Sequence, residues 1–368
     1  MGESSEAESG NGSGGGDEDD SSLPPIPETP LECAFMDCDF IRVQSLLRKT
    51  PEEAESLGLS RLALAILGGS VTAKDIHTFQ DEIGKRQIFR TTALMIATGL
   101  NRVDLIEPLS PEYRAQNANG VTALMIAALN GYDEAVRLLL EVEKGLRVKE
   151  EWGLQSVHGR QIDIGPGSTA LMIAAEHGHT ECVRILLDSE AGLRGHYDWT
   201  ALMHASTEGY LECVKMLVPF EAGIVNTGDV MAINFAAARG HAECLKILME
   251  YEGVKEKGTW YDGRTTALIS AAEQGRCECV SLLVTREAGE RDWTGFTALM
   301  KAVTNNKVEV IPLLKAEVDL PLLIPYRAMV LGKTTIEFDV GDTALTIARY
   351  YKHEDCIRAL EALEEPKE

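Results

Sequence analysis

Long apolar runs are missing from this 368-residue chain. Uninterrupted apolar stretches are short, such as Leu62 to Leu67, far below the roughly 20 residues a bilayer-spanning helix needs, so no membrane insertion is expected. Cysteine is sparse at eight residues, none in a CxxC pair, which argues against a disulfide framework or a zinc finger. Basic residues are outnumbered, 35 Lys+Arg against 58 Asp+Glu for a net charge of −23. With no long Lys/Arg run to offset that charge, phosphate backbones are repelled and nucleic acid is excluded as a partner. The opening Met1-Gly2-Glu3-Ser4-Ser5-Glu6 lacks the basic and apolar regions of a signal peptide and has Glu6 where a myristoylation motif wants Ser or Thr. A cytoplasmic protein is the expectation, with cytoskeletal or nuclear association left open. Hydrophobic residues still make up 45% of the chain, enough for a large core and incompatible with a fully disordered chain.

Residues 1–28 carry eight carboxylates (Glu3, Glu6, Glu8, Asp17, Glu18, Asp19, Asp20, Glu28), a Gly/Ser run and no Lys or Arg. That composition cannot bury enough apolar surface to offset chain entropy and predicts a disordered acidic tail. Gly10, Gly12 and Gly15 satisfy GxGxxG, but no strand precedes them and no apolar helix follows, so the phosphate-cradling context is absent. No cofactor is expected. Residues 363–368 read as a short charged C-terminal tail.

Between the tails the chain repeats itself with a period of about 31. Anchored at Thr or its equivalent, ten units start at Thr29, Ser60, Thr92, Thr122, Thr169, Thr200, Met231, Thr266, Thr297 and Thr343. Two residues after the anchor stands Leu in nine units and Ile233 in the other; five residues after it stands Ala in all ten. Nine residues after it come Gly131, Gly178, Gly209, Gly240 and Gly275, and thirteen after it Cys182, Cys213, Cys244, Cys279 and Cys356.

Each position has a physical reading. The anchor Thr can cap a short helix whose apolar residues at +2, +5 and +6 share a face, and Gly at +9 can adopt the left-handed conformation that ends it. A second amphipathic helix follows, with small Cys at +13 packed in the interface and the acidic residue at +12 near the helix N-terminus, where the dipole favours it. A pair of helices this short is marginal alone, and stacking on neighbours supplies the missing burial. The reading is therefore an all-α solenoid over 29–362. The second unit, with Lys74 at an apolar position, fits worst. Pro108 and Pro312 fall inside expected second helices and predict irregular units.

The units TALMIAAEHGHTECVRILL from Thr169 and TALMHASTEGYLECVKMLV from Thr200, with Thr29-Pro30-Leu31 in the first unit, resemble the ankyrin repeat. The resemblance covers about residues 29 to 362 and implies helix-turn-helix units joined by hairpin-like fingers. The chain departs from the family where Pro at +1 is mostly Ala and His at +3 is Met95, Met125, Met172, Met203 or Met300. The TALM flavour is similar to large protist ankyrin sets, some with a kinase domain; this chain has neither an HRD loop nor a DFG motif.

Three anchor intervals exceed the period, and the two large excesses map to about 141–168 and 317–342. The latter alternates apolar and polar residues on either side of Gly332-Lys333 and predicts a hairpin. In the resembled family, partners engage finger tips and the concave face of the first helices. Carried to the residues one, three and four before each anchor, this selects His196, Tyr197, Trp199, Trp293 and Phe296, with Trp260 and Tyr261 in the lengthened finger before Thr266. Loop-borne aromatics of this kind suit interface hot spots. His177, His179 and Glu181 imitate a metal cluster, but Gly178-His179 is the GH of the repeat, so no metal site is expected. A rival reading places an enzyme site in the first insert around His158, Arg160 and Asp163, where no nucleophile with an oriented base is present. The sequence thus points to a non-enzymatic, monomeric interaction module for a protein partner, acting as adaptor, scaffold or regulatory subunit.

Overall fold

The computed structural model describes residues 27–50, 52–53, 57–149, 165–252, 265–330 and 334–364, with backbone alone at 328–330, 334–335 and 364. The acidic tail up to residue 26, Trp152, His158, Arg160, Asp163, Trp260 and Tyr261 lie outside the described residues.

Every one of the ten anchors immediately precedes a helix. These first helices are α1 (Pro30–Met36), α3 (Arg61–Leu67), α4 (Ala93–Gly99), α5 (Ala123–Asn130), α7 (Ala170–Glu176), α9 (Ala201–Glu208), α11 (Ala232–Arg239), α13 (Ala267–Glu273), α15 (Ala298–Thr304) and α16 (Ala344–Tyr351). The capping chemistry is as the sequence predicts: Thr92, Thr122, Thr200, Thr266 and Thr297 each accept the backbone N–H three residues on, and Thr29 forms a full capping box with Glu32. The Gly at +9 ends the helix in the left-handed region, with φ of 70° at Gly131 and 80° at Gly209. A Cβ on Gly209 would lie 2.4 Å from the ring of His241, so the next unit occupies the space the missing side chain leaves.

Second helices follow as α2 (Phe40–Leu47), α6 (Asp133–Glu143), α8 (Thr180–Glu190), α10 (Leu211–Glu221), α12 (Ala242–Tyr251), α14 (Cys277–Glu287) and α17 (Glu354–Glu364). The second unit has only a 3-10 segment, Ile76–Phe79, in this place. The units containing Pro108 and Pro312 likewise form 3-10 segments, including Val103–Leu105 and Val308–Glu317, instead of α-helix. Pro219 sits near the end of α10 without stopping it.

First helices pack on one another in a single row from α3 to α16, and second helices in a parallel row behind them. Ala174 and Leu171, the residues on which stacking depends, are 0% and 1% exposed. The first unit departs from strict neighbour stacking: α2 touches both α3 and α4, the ring of Phe40 lies against Gly99, α1 packs on Ile88–Arg90, and Asn117 Nδ2 donates to Cys38 Sγ at 3.6 Å. The second unit's missing helix leaves room for this.

A line of buried glutamates, unanticipated from the sequence, runs through the stack. Glu112, Glu143, Glu190, Glu221, Glu252 and Glu317 are each at most 3% exposed. One oxygen of each accepts the backbone N–H at anchor +2 of its own unit, as Leu202 N–H to Glu221 at 2.7 Å. The other accepts an N–H from the end of the preceding unit, as Gly192 N–H to Glu221 at 2.9 Å. Glu82 and Glu287 make the own-unit bond to Leu62 and Leu268. Burial pushes the carboxyls of Glu143, Glu190, Glu221 and Glu287 above the ordinary range, against the pull of these donors.

Candidate functional site

The fingers are built by a short backbone closure. In regular units the residue five before the anchor donates its N–H to the carbonyl one before it: Gln87 to Thr91, Asn117 to Val121, Gly195 to Trp199, Asn226 to Val230 and Asp292 to Phe296. The side chains of Asn117, Asn226 and Asp292 accept two further backbone N–H groups inside the loop, which fixes the turn. In the two units with large inserts the same closure joins Val148 to Ser168 and Leu322 to Asp342. The extra residues therefore lie in the chain between Val148 and Ser168 and between Leu322 and Asp342, and the inserts are narrower than 141–168 and 317–342: Glu141 and Glu143 end α6, and Glu317 belongs to the glutamate line. The second insert forms the predicted hairpin, β1 (Tyr326–Val330) and β2 (Thr334–Phe338), antiparallel with Tyr326 opposite Phe338.

Neighbouring fingers are tied together. Ala118 N–H bonds Phe89 O, Lys149 N–H bonds Asn119 O, and Thr227 N–H bonds Tyr197 O, each within 2.9 Å. Arginines reach along the same edge: Arg86 to Gln116 O at 3.2 Å, Arg114 to Val142 O at 3.1 Å and Arg194 to Val225 O at 3.3 Å. From Arg86 to Val230 the described finger residues are tied one to the next.

On that edge the selected aromatics sort by offset. Residues three and four before the anchor face outward: Tyr197 is 62% exposed and Trp293 73%. His196 is half-buried over Gly165 and lies against the Tyr197 ring at a centroid distance of 3.8 Å. The residue one before the anchor faces inward. Trp199 is half-buried between His204 (5.0 Å) and Phe235 (4.4 Å). Phe296 is only 3% exposed, covered by Tyr326 at 4.9 Å and Phe338 at 6.1 Å from the hairpin. The expectation that Phe296 meets a partner is corrected: the insert covers it. The residues at anchor +4 in three successive units, Ile96, Ile126 and Ile173, are fully buried.

Tyr197 and Asp198 adopt left-handed φ of 52° and 60°, a conformation bulky residues avoid. Phe89 and Arg90 repeat this turn at 52° and 59°, but Phe89 is 7% exposed and its burial compensates. At Tyr197 the ring is held out in solvent. His204 beside Trp199 is buried, and its pKa is pushed down to about 4 by burial and by nearby His177; the Glu176 carboxylate stands 3.7 Å away.

The apparent metal cluster resolves into repeat chemistry. His177 bonds Ile173 O and His179 bonds Leu129 O of the preceding unit, both at 2.9 Å. Among the described residues no group of His, Cys, Asp and Glu is placed to hold a metal ion, and no helix is long and apolar enough to cross a membrane. The cysteines at +13 are buried, and burial pushes the thiols of Cys244, Cys279 and Cys356 up to about 11.

The family model for ankyrin repeats (three copies) matches residues 62–151, 153–229 and 233–322. Among solved structures, the human ASB11 ankyrin repeat domain is similar at 24% identity, covering 67% of this chain and 100% of that chain, with a TM-score of 0.47. No curated protein matches.

Proposed function

Because the chain belongs to the ankyrin-repeat family, whose repeats are generally protein-protein interaction modules, we propose that it holds a protein partner along its finger edge as an adaptor, scaffold or regulatory subunit. Tyr197 and Trp293 are the anchors, with His196 beside the first and Trp199 as the packed platform beneath it. Trp260 and Tyr261, between them in chain order and outside the described residues, complete the proposed set. The observation that carries this reading is Tyr197: a large ring held in solvent on a left-handed turn that its own burial does not stabilise. The family is typically non-enzymatic, and the proposed work is binding without turnover.

A photo-crosslinking amino acid placed at 197 or 293 in the native cell tests the proposal, with Leu138 on α6, 48% exposed, as the control site. The expected result is a discrete adduct from 197 and 293 that is absent from 138 and is reduced when the other anchor is changed to Ala. Equal labelling from all three sites refutes the assignment of the fingers.

A further inference from the structure

The finger edge of the early units carries cations that make no salt bridge among the described residues, in a chain whose net charge is −23. The finger segments 83–91, 113–121 and 144–149 contain no Asp or Glu at all. Their neighbouring acids Glu82, Glu112 and Glu143 are turned into the glutamate line and buried. Lys85, Arg86, Arg90, Arg114 and Lys149 are exposed and Arg147 is half-buried. Arg86, Arg114 and Arg147 donate to backbone carbonyls, which orients the guanidinium groups; the acids that attract them, Glu112, Glu143 and Glu190, are buried and leave the solvent side of the row to the cations. Lys144 is excluded from the row because it pairs with Glu141 at 2.8 Å. The backbone bonds from Ala118 to Phe89 and from Lys149 to Asn119 hold the three fingers side by side, which sets these cations on a row of adjoining fingers. Glu150 and Glu151 follow in the sequence, outside the described residues.

The chain also carries the complement of this row. Residues 1–28 contain eight carboxylates and no cation. The segment joins the fold at α1, and α1 packs against Ile88–Arg90, the tip of the first finger of the row. The acidic cluster Asp17-Glu18-Asp19-Asp20 is some ten residues upstream of α1. Ten residues of chain span up to about 33 Å, enough to lay that cluster along neighbouring fingers. A covalently attached ligand also acts at a high effective concentration, on the order of millimolar for a short linker, so weak individual pairs suffice. We infer that the acidic N-terminal segment of this chain docks along the cationic row of the first three fingers.

The test is zero-length carbodiimide cross-linking of the full chain, read by mass spectrometry, which joins carboxylates only to amines in direct contact. Mixing light and heavy isotope-labelled protein separates links within a chain from links between chains. The expected result is that carboxylates of residues 3–20 link to Lys85 and Lys149 of the same chain. Raising the salt from 0.15 M to 1 M shortens the screening length from about 8 Å to about 3 Å and is expected to lower that yield roughly fivefold or more. Arg90→Glu/Arg114→Glu is expected to lower it similarly, with an unchanged unfolding midpoint as the control for folding. Tail links that favour Lys215 and Lys246 on the second helices, or that occur only between chains, overturn the inference. So does a yield indifferent to salt and to the double substitution.

Discussion

Replacing Glu221 tests whether the buried glutamates hold adjacent units together. Its carboxylate is 1% exposed and accepts Leu202 N–H at 2.7 Å and Gly192 N–H at 2.9 Å; it also takes a bond from the Thr200 hydroxyl. In Glu221→Ala the Leu202 N–H is orphaned inside the stack, at about 1–3 kcal/mol for a buried unsatisfied donor. Gly192 is exposed and can turn to water, which limits its loss to about 1 kcal/mol. The sum is a destabilisation of about 2–4 kcal/mol. Glu221→Gln keeps one carbonyl acceptor and relieves the cost of a buried charge, so it is expected to lose about half as much. Urea unfolding gives the global values. Amide hydrogen exchange gives the local ones, with Leu202 and Gly192 losing protection before amides in distant units such as Ala127. A Glu221→Ala protein within about 0.5 kcal/mol of the parent, or one whose exchange rises evenly over the whole chain, refutes the reasoning.

Other outcomes follow from single contacts. Gly209→Ala places a side chain at φ 80° and against the His241 ring, and a thermal melt is expected to show a loss of at least about 1–2 kcal/mol from the left-handed backbone alone. Phe296→Ala empties the space under the hairpin and is expected to cost about 3–5 kcal/mol, whereas Trp293→Ala, three residues away but 73% exposed, should stay within about 0.5 kcal/mol in the same denaturation assay. His204, with a folded pKa of about 4 against 6.5, contributes stability that is present above pH 6.5 and lost as pH falls to about 4. The loss totals about 3 kcal/mol at about 1.4 kcal/mol per pH unit, and urea titrations across that range should show it vanish in His204→Met. That variant should expose the opposite slope from Glu143, Glu190, Glu221 and Glu287: their raised carboxyls favour the folded state below the unfolded value of 4.5, and the benefit is lost as pH climbs through the folded values.

The parts of the fold legible in the sequence are those where one residue suffices to state a physical need. A Thr before a helix, a Gly after it and a small Cys in an interface each explain themselves locally, and they recur at fixed offsets. The irregular units were legible for the same reason, since Pro108 and Pro312 act on their own backbone. The glutamate line was present in the same alignment: Glu143, Glu190, Glu221, Glu252 and Glu287 all stand 21 residues after their anchors. Its role is not legible there because a Glu at the end of a polar helix has the look of a solvated residue, and its partners lie on other segments. The fingers divide likewise. Tyr197 and Trp293 project as expected, but whether Trp199 and Phe296 do depends on what lies over them, Phe235 in one case and an inserted hairpin in the other. Pattern alone places a side chain on the chain; it does not say what covers it.

The closure shared by Val148 with Ser168 and by Leu322 with Asp342 means that the two long loops leave and rejoin the chain at the same latch as a five-residue turn. A segment mounted there can be lengthened, shortened or exchanged while the helices behind it keep their spacing. Diversity at the outer rim is thereby uncoupled from the load carried by the inner rows, and each latch offers a ready port at which foreign sequence could be grafted onto this scaffold.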